Sequence, residues 1–456
     1  MNTPIFDFVK SYSEMGLSRF HMPGHKGHGA LGIEHLDITE ISGADVLYSP
    51  TGIIAESENN ASLLFGTAHS FYSTEGSTLA IKAMLAIIKG EKAKKSNTPP
   101  LILAARNVHK AFVYAAALLD LDVAWIYPEV YTHLCECNIT PEDLRRAIKE
   151  SSAVPDAVYV TSPDYLGNIA DVKGLAAVCD EYSVPLLVDN AHGAYLAFCE
   201  PNLHPISLGA AMCADSAHKT LPVLTGGAYL HVSEKYSHFK DSARDALSLF
   251  ASTSPSYLTL ASLDACNAYI ATDFRERLDH LINRIEILKS LMNIRGCPVR
   301  ESEPLKLVIS SHDYGCRVED LLSILRKNKI EHEFNDDDLI VLMLSPENND
   351  DDFKNLCTAV DDIVNMIKQH GGVRVKKITP KSADRAVSAM RIHDAVFAPG
   401  EIINVKDAVG RICKDPTVSC PPAVPIVVSG EIISDSAIEL FRKYGITQIS
   451  VVKNNR

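Results

Sequence analysis

The sequence has no long hydrophobic run. Its most apolar stretches, such as AAALLDLDVAWIY at 115–127, are short and are interrupted by aspartate, so we expect no segment that crosses a membrane. The N-terminal residues MNTPIFDFVKSYSEMG contain no basic segment followed by an apolar one, and we therefore expect no secretory signal peptide. Both absences favour a cytoplasmic protein.

The sequence also lacks a cysteine framework. Eleven cysteines are scattered over 456 residues without a CxxC pair. The closest spacing, Cys135-Glu-Cys137, is too tight for the usual zinc ligands. We therefore expect no metal site built on cysteine and interpret these residues as reduced thiols.

An excess of positive charge is missing as well. The chain has 44 lysines and arginines against 57 aspartates and glutamates, which gives a formal net charge of −13. Nucleic acids bind basic surfaces, so we expect no nucleic-acid partner. The acidic balance suits a cationic small-molecule substrate, but many proteins of other functions are equally acidic.

Short β-branched runs alternate with helical patterns through the first two thirds of the chain. This alternation indicates βαβ units and a mostly parallel sheet that is covered on both faces. After about residue 270 the pattern changes to that of a smaller α+β domain, in which the acidic segments 335–338 and 347–352 read as solvated turns. The strands predicted for the sheet are 101–107, 123–128, 157–163 and 184–190.

The predicted fold class is therefore α/β, with a large domain that contains the parallel sheet and a smaller α+β domain at the C-terminus. We expect an N-terminal arm with an active-site loop at 1–30, the large domain at 31–275 and the small domain at 276–456. The last segment of the small domain begins at about residue 378.

Side chains that could take part in catalysis or binding lie at the boundaries of three predicted elements. Asp189 ends the apolar strand in VPLLVDNAHGAY, and Lys219 follows Ser216 and His218 after a second apolar run. Ligands of open parallel sheets bind beyond the carboxyl ends of the strands. A third group precedes a helix and offers hydroxyls and free backbone N–H groups to an anion; its members are Gly76, Ser77 and Thr78.

These three features together indicate pyridoxal 5'-phosphate (PLP). The cofactor needs a lysine for its Schiff base, a carboxylate for its ring nitrogen and an anion site for its phosphate. Each feature alone is weak, because strand-end aspartates are often caps and lysines are usually solvated. Their combination in this order is more specific.

With these residues considered together, the sequence resembles the ornithine/lysine/arginine decarboxylase family. This family comprises basic amino-acid decarboxylases on the aspartate-aminotransferase fold, which is fold type I of PLP enzymes. The resemblance covers nearly the whole chain and points to the short branch without a separate wing domain. It rests on FHMPGHKG (20–27), EGST (75–78), NVHKAF (107–112), VDNAHGA (188–194), SAHKTLP (216–222), STSPSY (252–257) and PPAVPIVVSGE (421–431).

The resemblance implies roles for the matching residues. Lys219 would form the Schiff base, Asp189 would pair with the pyridine nitrogen, and His109 would stack on the ring. His192 would lie beside the ring near its phenolic oxygen. Thr253 would contact the phosphate of the neighbouring subunit, so we expect at least a homodimer. The remaining phosphate ligands would be Gly76, Ser77, Thr78, Ser216 and His218.

Two places depart from the family pattern. Glu75 stands before Gly76 where many relatives have glycine, and a carboxylate there does not help a phosphate unless it points away. In the tail motif, Cys420 and Ala423 replace an aromatic residue and a glycine, and Ser429 replaces a proline. The tail lies on the substrate side of the family's active site, so these changes concern substrate preference.

The histidine-rich segment RFHMPGHKGHG (19–29) allows three interpretations. His21, His25 and His28 have the spacing of helical metal ligands, but a Pro-Gly pair interrupts the helix that would align them. The segment also lacks the Gly-Lys-Ser/Thr ending of a P-loop. A packed or solvated turn is the remaining alternative to what the resemblance implies, namely a loop at the active-site entrance to which His25 and Lys26 contribute.

The predicted reaction is the PLP-dependent decarboxylation of lysine, arginine or ornithine to the corresponding amine and CO2. Lys219, or a histidine such as His192 or His218, would protonate the α-carbon, and Glu431 would bind the distal cation of the substrate. An aminotransferase, a racemase or another PLP enzyme of the same fold stays open as an alternative. For an aminotransferase, Arg391 is a candidate clamp for the substrate carboxylate. A catalytically silent homologue that binds PLP or a protein partner is the other alternative.

Overall fold

A computed structural model describes residues 1–128, 133–297, 299–311, 313–369, 385–416 and 423–454. The chain divides into two compact units. The first comprises Met1–Ala104, Leu144–Ser162 and Asp171–Arg275, and the second comprises Ala105–Asp143, Pro163–Ala170 and Glu276–Arg456. None of the described helices combines the length and the apolar character needed to cross a lipid bilayer.

The strands are short, of two to five residues. In chain order they are β1 (His69–Ser73), β2 (Leu101–Ala105), β3 (Asp122–Ile126), β4 (Ala157–Thr161), β5 (Leu186–Asp189), β6 (Met212–Asp215), β7 (Ala228–Val232), β8 (Lys306–Ser310), β9 (Phe334–Asn335), β10 (Leu339–Met343), β11 (Gly400–Asn404) and β12 (Gln448–Val452).

The α-helices range from a single turn to six turns. They are α1 (Pro4–Glu14), α2 (Ile53–Phe65), α3 (Gly76–Ala93), α4 (Lys110–Leu118), α5 (Pro141–Glu150), α6 (Val172–Glu181), α7 (Ala217–Thr220), α8 (Lys240–Ser248), α9 (Tyr257–Ile270), α10 (Phe274–Ile294), α11 (Val318–Lys327), α12 (Asp350–Gln369), α13 (Ile392–Phe397) and α14 (Asp435–Lys443).

The first unit is built on a mostly parallel sheet. Its strands follow the order β1-β7-β6-β5-β4-β2, and only β7 runs against its neighbours. Every residue of β5 and β6 is buried, as expected for parallel strands covered on both faces. The prediction of an α/β fold is confirmed.

The sheet brings three strand ends to one edge. Because β1, β5 and β6 run in the same direction, their carboxyl ends lie on the same side of the sheet. Asp189 is the last residue of β5, and Asp215 is the last residue of β6. Ser73 ends β1 shortly before α3 begins at Gly76. Asp189, and the residues Gly76 and Ser216 that follow β1 and β6, therefore belong to one edge.

The N-terminal helix of the first unit is held by a buried carboxylate. Oδ2 of Asp264, in α9, accepts hydrogen bonds from the backbone N–H groups of Ile5 at 2.8 Å and Phe6 at 2.9 Å. Oδ1 accepts a hydrogen bond from Ser57 Oγ in α2. These bonds satisfy N–H groups at the start of α1 that have no partner within the helix.

The second unit contains two small antiparallel sheets. Strands β8, β10 and β9 form one, in that order, and β11 pairs with β12 in the other. The α+β character predicted for the C-terminal region is confirmed. The domain boundaries at 30/31 and 275/276 stay predictions; the second unit also includes 105–143 and 163–170, which the sequence analysis gave to the large domain.

The turn predicted at 347–352 is correct for 347–349, which lie outside any helix, and wrong for the residues after them. Residues 350–352 form the first turn of α12. Asn349 Oδ1 accepts from the Asp352 N–H at 3.0 Å, and Asp352 Oδ2 accepts from the Asn349 N–H at 3.0 Å. This reciprocal capping and the positive end of the helix dipole stabilise an acidic helix start, which composition alone presents as a solvated turn.

Candidate active site

Lys219 lies in a short helical turn directly after β6. Its backbone N–H donates to the carbonyl of Ser216 at 3.1 Å, and its Nζ lies 3.1 Å from Nε2 of His192. His192 is buried, whereas Lys219 is only partly buried. The structure therefore pairs the predicted Schiff-base lysine with a histidine that can exchange a proton with it.

Asp189 places a carboxylate at the end of β5. Its Oδ1 accepts from the Ala191 N–H at 3.2 Å, and its Oδ2 accepts from the Tyr159 hydroxyl at 3.3 Å. Burial raises the pKa of Asp189 to about 6, although the nearby charge of Lys219 acts in the opposite direction. A buried carboxylate of this kind favours a cationic partner such as a protonated ring nitrogen.

The predicted phosphate ligands surround the start of α3. Ser216 Oγ donates to Ser77 Oγ at 2.8 Å, which joins the residue after β6 to the first turn of α3. Gly76 has a φ of +71°, which glycine adopts without strain. Thr78 is exposed. The N–H groups of this first turn and these hydroxyls are suited to an anion.

His218 is turned toward a backbone carbonyl. Its Nδ1 lies 3.0 Å from the carbonyl oxygen of Gly227, so Nδ1 donates, and its backbone N–H donates to the same oxygen at 3.1 Å. Burial lowers the pKa of His218, which favours the neutral imidazole. Its predicted contact with the phosphate stays a prediction.

Glu75 is occupied by the STSPSY segment. Its Oε1 accepts a hydrogen bond from the backbone N–H of Ser252 at 2.7 Å. This contact gives the carboxylate a partner other than a phosphate, and it ties the start of α3 to the segment that contains Thr253. Thr253 itself is exposed, and its predicted reach into a neighbouring subunit stays a prediction.

The histidine-rich loop forms its contacts within the N-terminal part of the chain. His25 Nε2 lies 3.1 Å from Asp37 Oδ2, Lys26 Nζ donates to the carbonyl of His21 at 2.5 Å, and His21 Nε2 lies 2.6 Å from the Tyr12 hydroxyl. The structure gives these residues separate partners and no bond to Lys219 or His192. Their role at the active-site entrance stays a prediction.

In the second unit, His109 caps α4. Its Nδ1 accepts from the Ala111 N–H at 3.1 Å, which fixes the ring at the helix start. Stacking of His109 on a cofactor ring stays a prediction.

Glu431 is buried and paired. Its Oε2 lies 3.0 Å from Arg106 Nη2 and accepts from the Val428 N–H at 2.7 Å. Oε1 has no hydrogen-bond partner among the residues that the structure describes. Oε2 is thus occupied by Arg106. The predicted role of Glu431 in binding the substrate cation stays a prediction, and it depends on Oε1.

The other departures in the tail also have defined surroundings, except one. Ala423 adopts a φ of +58°, and its carbonyl accepts from the Lys110 N–H at 2.9 Å. The φ value explains why glycine suits this position. Ser429 is buried, and its hydroxyl has no hydrogen-bond partner within the described part of the chain. Cys420 lies outside the described residues.

Arg391 is held by two carboxylates. Its Nε lies 2.7 Å from Asp122 Oδ1, and its Nη2 lies 2.7 Å from Asp120 Oδ1. A guanidinium that clamps a substrate carboxylate must present its donors to that carboxylate. This arrangement therefore gives no support to the aminotransferase alternative.

A buried group around Asp215 was missed in the sequence. Asp215 directly precedes Ser216, and its carboxylate contacts Asn190, His204 and His231. Its position at a strand end, like that of Asp189, was an available signal. His204 precedes Asp215 by 11 residues and His231 follows it on β7, but neither spacing matches a known motif, so they gave none.

The residues at this edge of the sheet fit PLP. They provide an amine at Lys219, a buried carboxylate at Asp189 and hydroxyls at Ser77 and Ser216 beside the start of α3. This donor set matches an aldehyde, a basic ring nitrogen and a phosphate. All four residues belong to the first unit.

Comparisons with known proteins agree with this chemistry. A family model described as Orn/Lys/Arg decarboxylase, major domain, matches residues 3–312. The arginine decarboxylase of Bacillus subtilis (strain 168) is 31% identical over 471 residues, which cover 97% of this chain and 93% of the relative. That of Bacillus anthracis is 30% identical and covers 97% and 92%.

A solved structure supports the fold. The constitutive lysine decarboxylase of E. coli superposes with a TM-score of 0.77 at 16% identity, covering 99% of this chain and 82% of that one. The family, the fold class and the decarboxylase class predicted from the sequence are thereby confirmed. The chain belongs to the Orn/Lys/Arg decarboxylase family.

Proposed function

We propose that the protein removes the α-carboxylate of a basic amino acid, with arginine as the first candidate substrate. The observation that supports this most is the pairing of Lys219 with His192 at the sheet edge that also contains Asp189. Arginine is favoured because several relatives that match nearly the whole chain, those of Bacillus anthracis and Bacillus subtilis among them, are named arginine decarboxylases. The product would then be the corresponding amine.

PLP, when bound, supplies the electron sink for cleavage of the bond to the carboxylate. The residues of this chain hold it and manage protons. Lys219 is the attachment point, Asp189 stabilises the protonated ring nitrogen by charge pairing, and Ser77 and Ser216 bind the phosphate together with the start of α3.

The proton for the α-carbon comes from the pair formed by Lys219 and His192. Their nitrogens lie 3.1 Å apart, which permits direct transfer. His218 is a weaker candidate, because its Nδ1–H donates to the Gly227 carbonyl and its pKa is lowered by burial. His192 is thus the residue that exchanges a proton with Lys219 between turnovers.

The active unit would be a homodimer in the cytoplasm. Large apolar side chains are exposed in residues 17–31, at the end of the N-terminal arm and directly after it, including Phe20 at 96%, Leu31 at 79% and Leu17 at 56%. Such a concentration of exposed apolar surface is typical of an interface. The cysteines among the described residues are free thiols, which suits a reducing compartment.

The function is tested by offering arginine, lysine and ornithine separately to purified, PLP-loaded protein and measuring CO2 and amine release. We expect arginine to be turned over and Lys219→Ala to abolish both turnover and the visible absorption of bound PLP. Turnover of lysine or ornithine instead would keep the reaction and change the substrate. Binding of PLP without release of CO2 from any of the three would overturn the proposal in favour of a silent homologue.

A further inference from the structure

A cluster of buried polar side chains lies at the ends of β5 and β6. Asp215 is fully buried, and its Oδ1 accepts a hydrogen bond from Asn190 Nδ2 at 2.7 Å. Its Oδ2 lies 3.0 Å from His204 Nε2 and 3.3 Å from His231 Nε2. All four residues have a relative exposure of 0%. Nothing in the proposed chemistry uses them directly.

The cluster is anchored on its far side by β1. His231 Nδ1 lies 2.8 Å from Ser70 Oγ, which in turn lies 2.8 Å from Thr67 Oγ1. Burial alone would raise the pKa of Asp215, but the two histidines hold it below its usual range. Asp215 is therefore an ionised acceptor, which makes its hydrogen bonds strong.

Asn190, the partner of Asp215, directly follows the residue that would bind the ring nitrogen. Its backbone N–H donates to the Ala214 carbonyl at 3.0 Å, and its carbonyl accepts from the Gly193 N–H at 2.8 Å. The next N–H, of Ala191, donates to Asp189 Oδ1. The side-chain bond to Asp215 thus fixes the turn that orients the Asp189 carboxylate.

We propose that Asp215 is a positioning residue for Asp189, acting through Asn190 and held in place by His204 and His231. This inference rests on the proposed function, because it assigns the positioned carboxylate to the ring nitrogen of PLP. Asp215 itself touches neither the cofactor nor the substrate in this assignment. Its effect is to hold the turn after β5 in one conformation.

The cluster has the composition of a metal site as well, since the ligand atoms of His204, Asp215 and His231 lie within 4.8 Å of one another. The contacts favour a hydrogen-bonded network. Asp215 has one oxygen for Asn190 and the other for the histidines, and the 3.0 Å contact to His204 is a normal hydrogen bond. Metal analysis of the purified protein separates the two possibilities.

The test measures the dissociation constant of PLP from the apo-protein by its visible absorption. We expect Asp215→Ala and Asn190→Ala each to weaken PLP binding about tenfold, because each frees the turn and leaves buried groups unpaired. The double variant should lose little more than either single one, since both remove the same link. Asp215→Asn keeps an acceptor for Asn190 and should restore most of the affinity.

The matched control is Asp264→Ala. Asp264 is also a fully buried carboxylate of the first unit with several hydrogen bonds, but it holds α1 and not the turn after β5. Its loss should lower thermal stability while leaving the PLP dissociation constant within about twofold of the wild type.

Four results would overturn the inference. They are equal loss of PLP affinity in Asp264→Ala, full affinity in Asn190→Ala, additive effects in the double variant, and stoichiometric metal in the wild type. If Asp215→Ala does not fold, Asn190→Ala decides alone. Failure of the proposed function is distinguishable, because the wild type would then not bind PLP or would bind it without decarboxylating any basic amino acid.

Discussion

At the scale of single residues, Asp189 combines two properties that oppose each other. It is only 2% exposed, so water barely solvates its charge, yet its proposed role places that charge opposite a cofactor nitrogen. Burial is the main reason that its pKa rises to about 6, from an ordinary value of 3.8. The folded apo-protein therefore binds the proton of this carboxyl more tightly than the unfolded chain does.

This linkage gives a signed prediction for Asp189→Asn. Below about pH 4 the carboxyl is protonated and does not destabilise the folded apo-protein. Between about pH 4 and pH 6 the folded state loses stability, and above about pH 6 the ionised carboxylate has its full destabilising effect. We expect the variant to gain stability relative to the wild type as pH rises from 4.5 to 7.5, by up to about 2 kcal/mol. Denaturant unfolding of both apo-proteins at several pH values measures the difference.

The same variant should bind PLP much more weakly at pH 7.5, because an amide cannot pair with the protonated ring nitrogen. A stability difference that does not change with pH would contradict the pKa argument, whereas unchanged PLP binding would contradict the role of Asp189.

The contact between Lys219 and His192 yields a second prediction at this scale. In His192→Gln the lysine loses a partner that exchanges protons, so we expect kcat to fall about 100-fold. Visible absorption of bound PLP should persist, since Lys219 is intact. Lys219→Ala serves as the comparison, because it should lose both signals. A fall in PLP occupancy equal to the fall in kcat would assign His192 to binding instead of proton transfer.

At the scale of elements, side-chain carboxylates and amides accept hydrogen bonds from the backbone N–H groups at the starts of two helices. α1 begins with two N–H groups on Asp264, and α12 begins with the reciprocal bonds of Asn349 and Asp352. Such bonds replace the partners that the first turn of a helix lacks. In the first case the acceptor lies in α9, so the capping also joins two elements that are far apart in the chain.

We therefore expect Asp264→Ala to release α1. Two N–H groups and the Ser57 hydroxyl lose their acceptor, which should lower the free energy of unfolding by about 1–3 kcal/mol. Hydrogen–deuterium exchange should show faster exchange at the start of α1. Asp245→Ala, which changes an exposed aspartate of α8, is the control. Unchanged exchange at residues 5 and 6 would sink the idea that Asp264 holds this helix.

At the scale of the whole molecule, the exposed apolar side chains of residues 17–31 favour the proposed dimer. A prediction for assembly follows from Phe20 and Leu31, which are 96% and 79% exposed. We expect the wild type to be a dimer by light scattering, and the double variant Phe20→Glu with Leu31→Glu to shift toward monomer, because two charges oppose burial. Ile294→Glu, at an exposed position in α10, is the control. A monomeric wild type would contradict the proposed assembly.

Much of the site could be predicted because its chemistry follows strand ends in the sequence. Asp189 ends β5 and Lys219 follows β6, and each lies in a motif of consecutive residues that can be recognised in the sequence. The pairing of Glu431 with Arg106 could not be predicted, because the two residues are 325 positions apart. The histidines around Asp215 are near it in the sequence, His204 at 11 residues, but they carried no signal because no known motif joins them and their contacts form only in the folded chain.

The buried ion pair of Arg106 and Glu431 makes the end of the chain indispensable to a segment near its beginning. Besides Glu431, the guanidinium donates to the carbonyls of Pro425 and Ile426 at 3.0 and 3.2 Å, so these three acceptors lie within seven residues of the tail. A protease that removed this stretch would leave an arginine enclosed without a counter-ion, which is strongly destabilising. Nicked or C-terminally truncated forms should therefore unfold and be degraded rather than accumulate as partial enzymes.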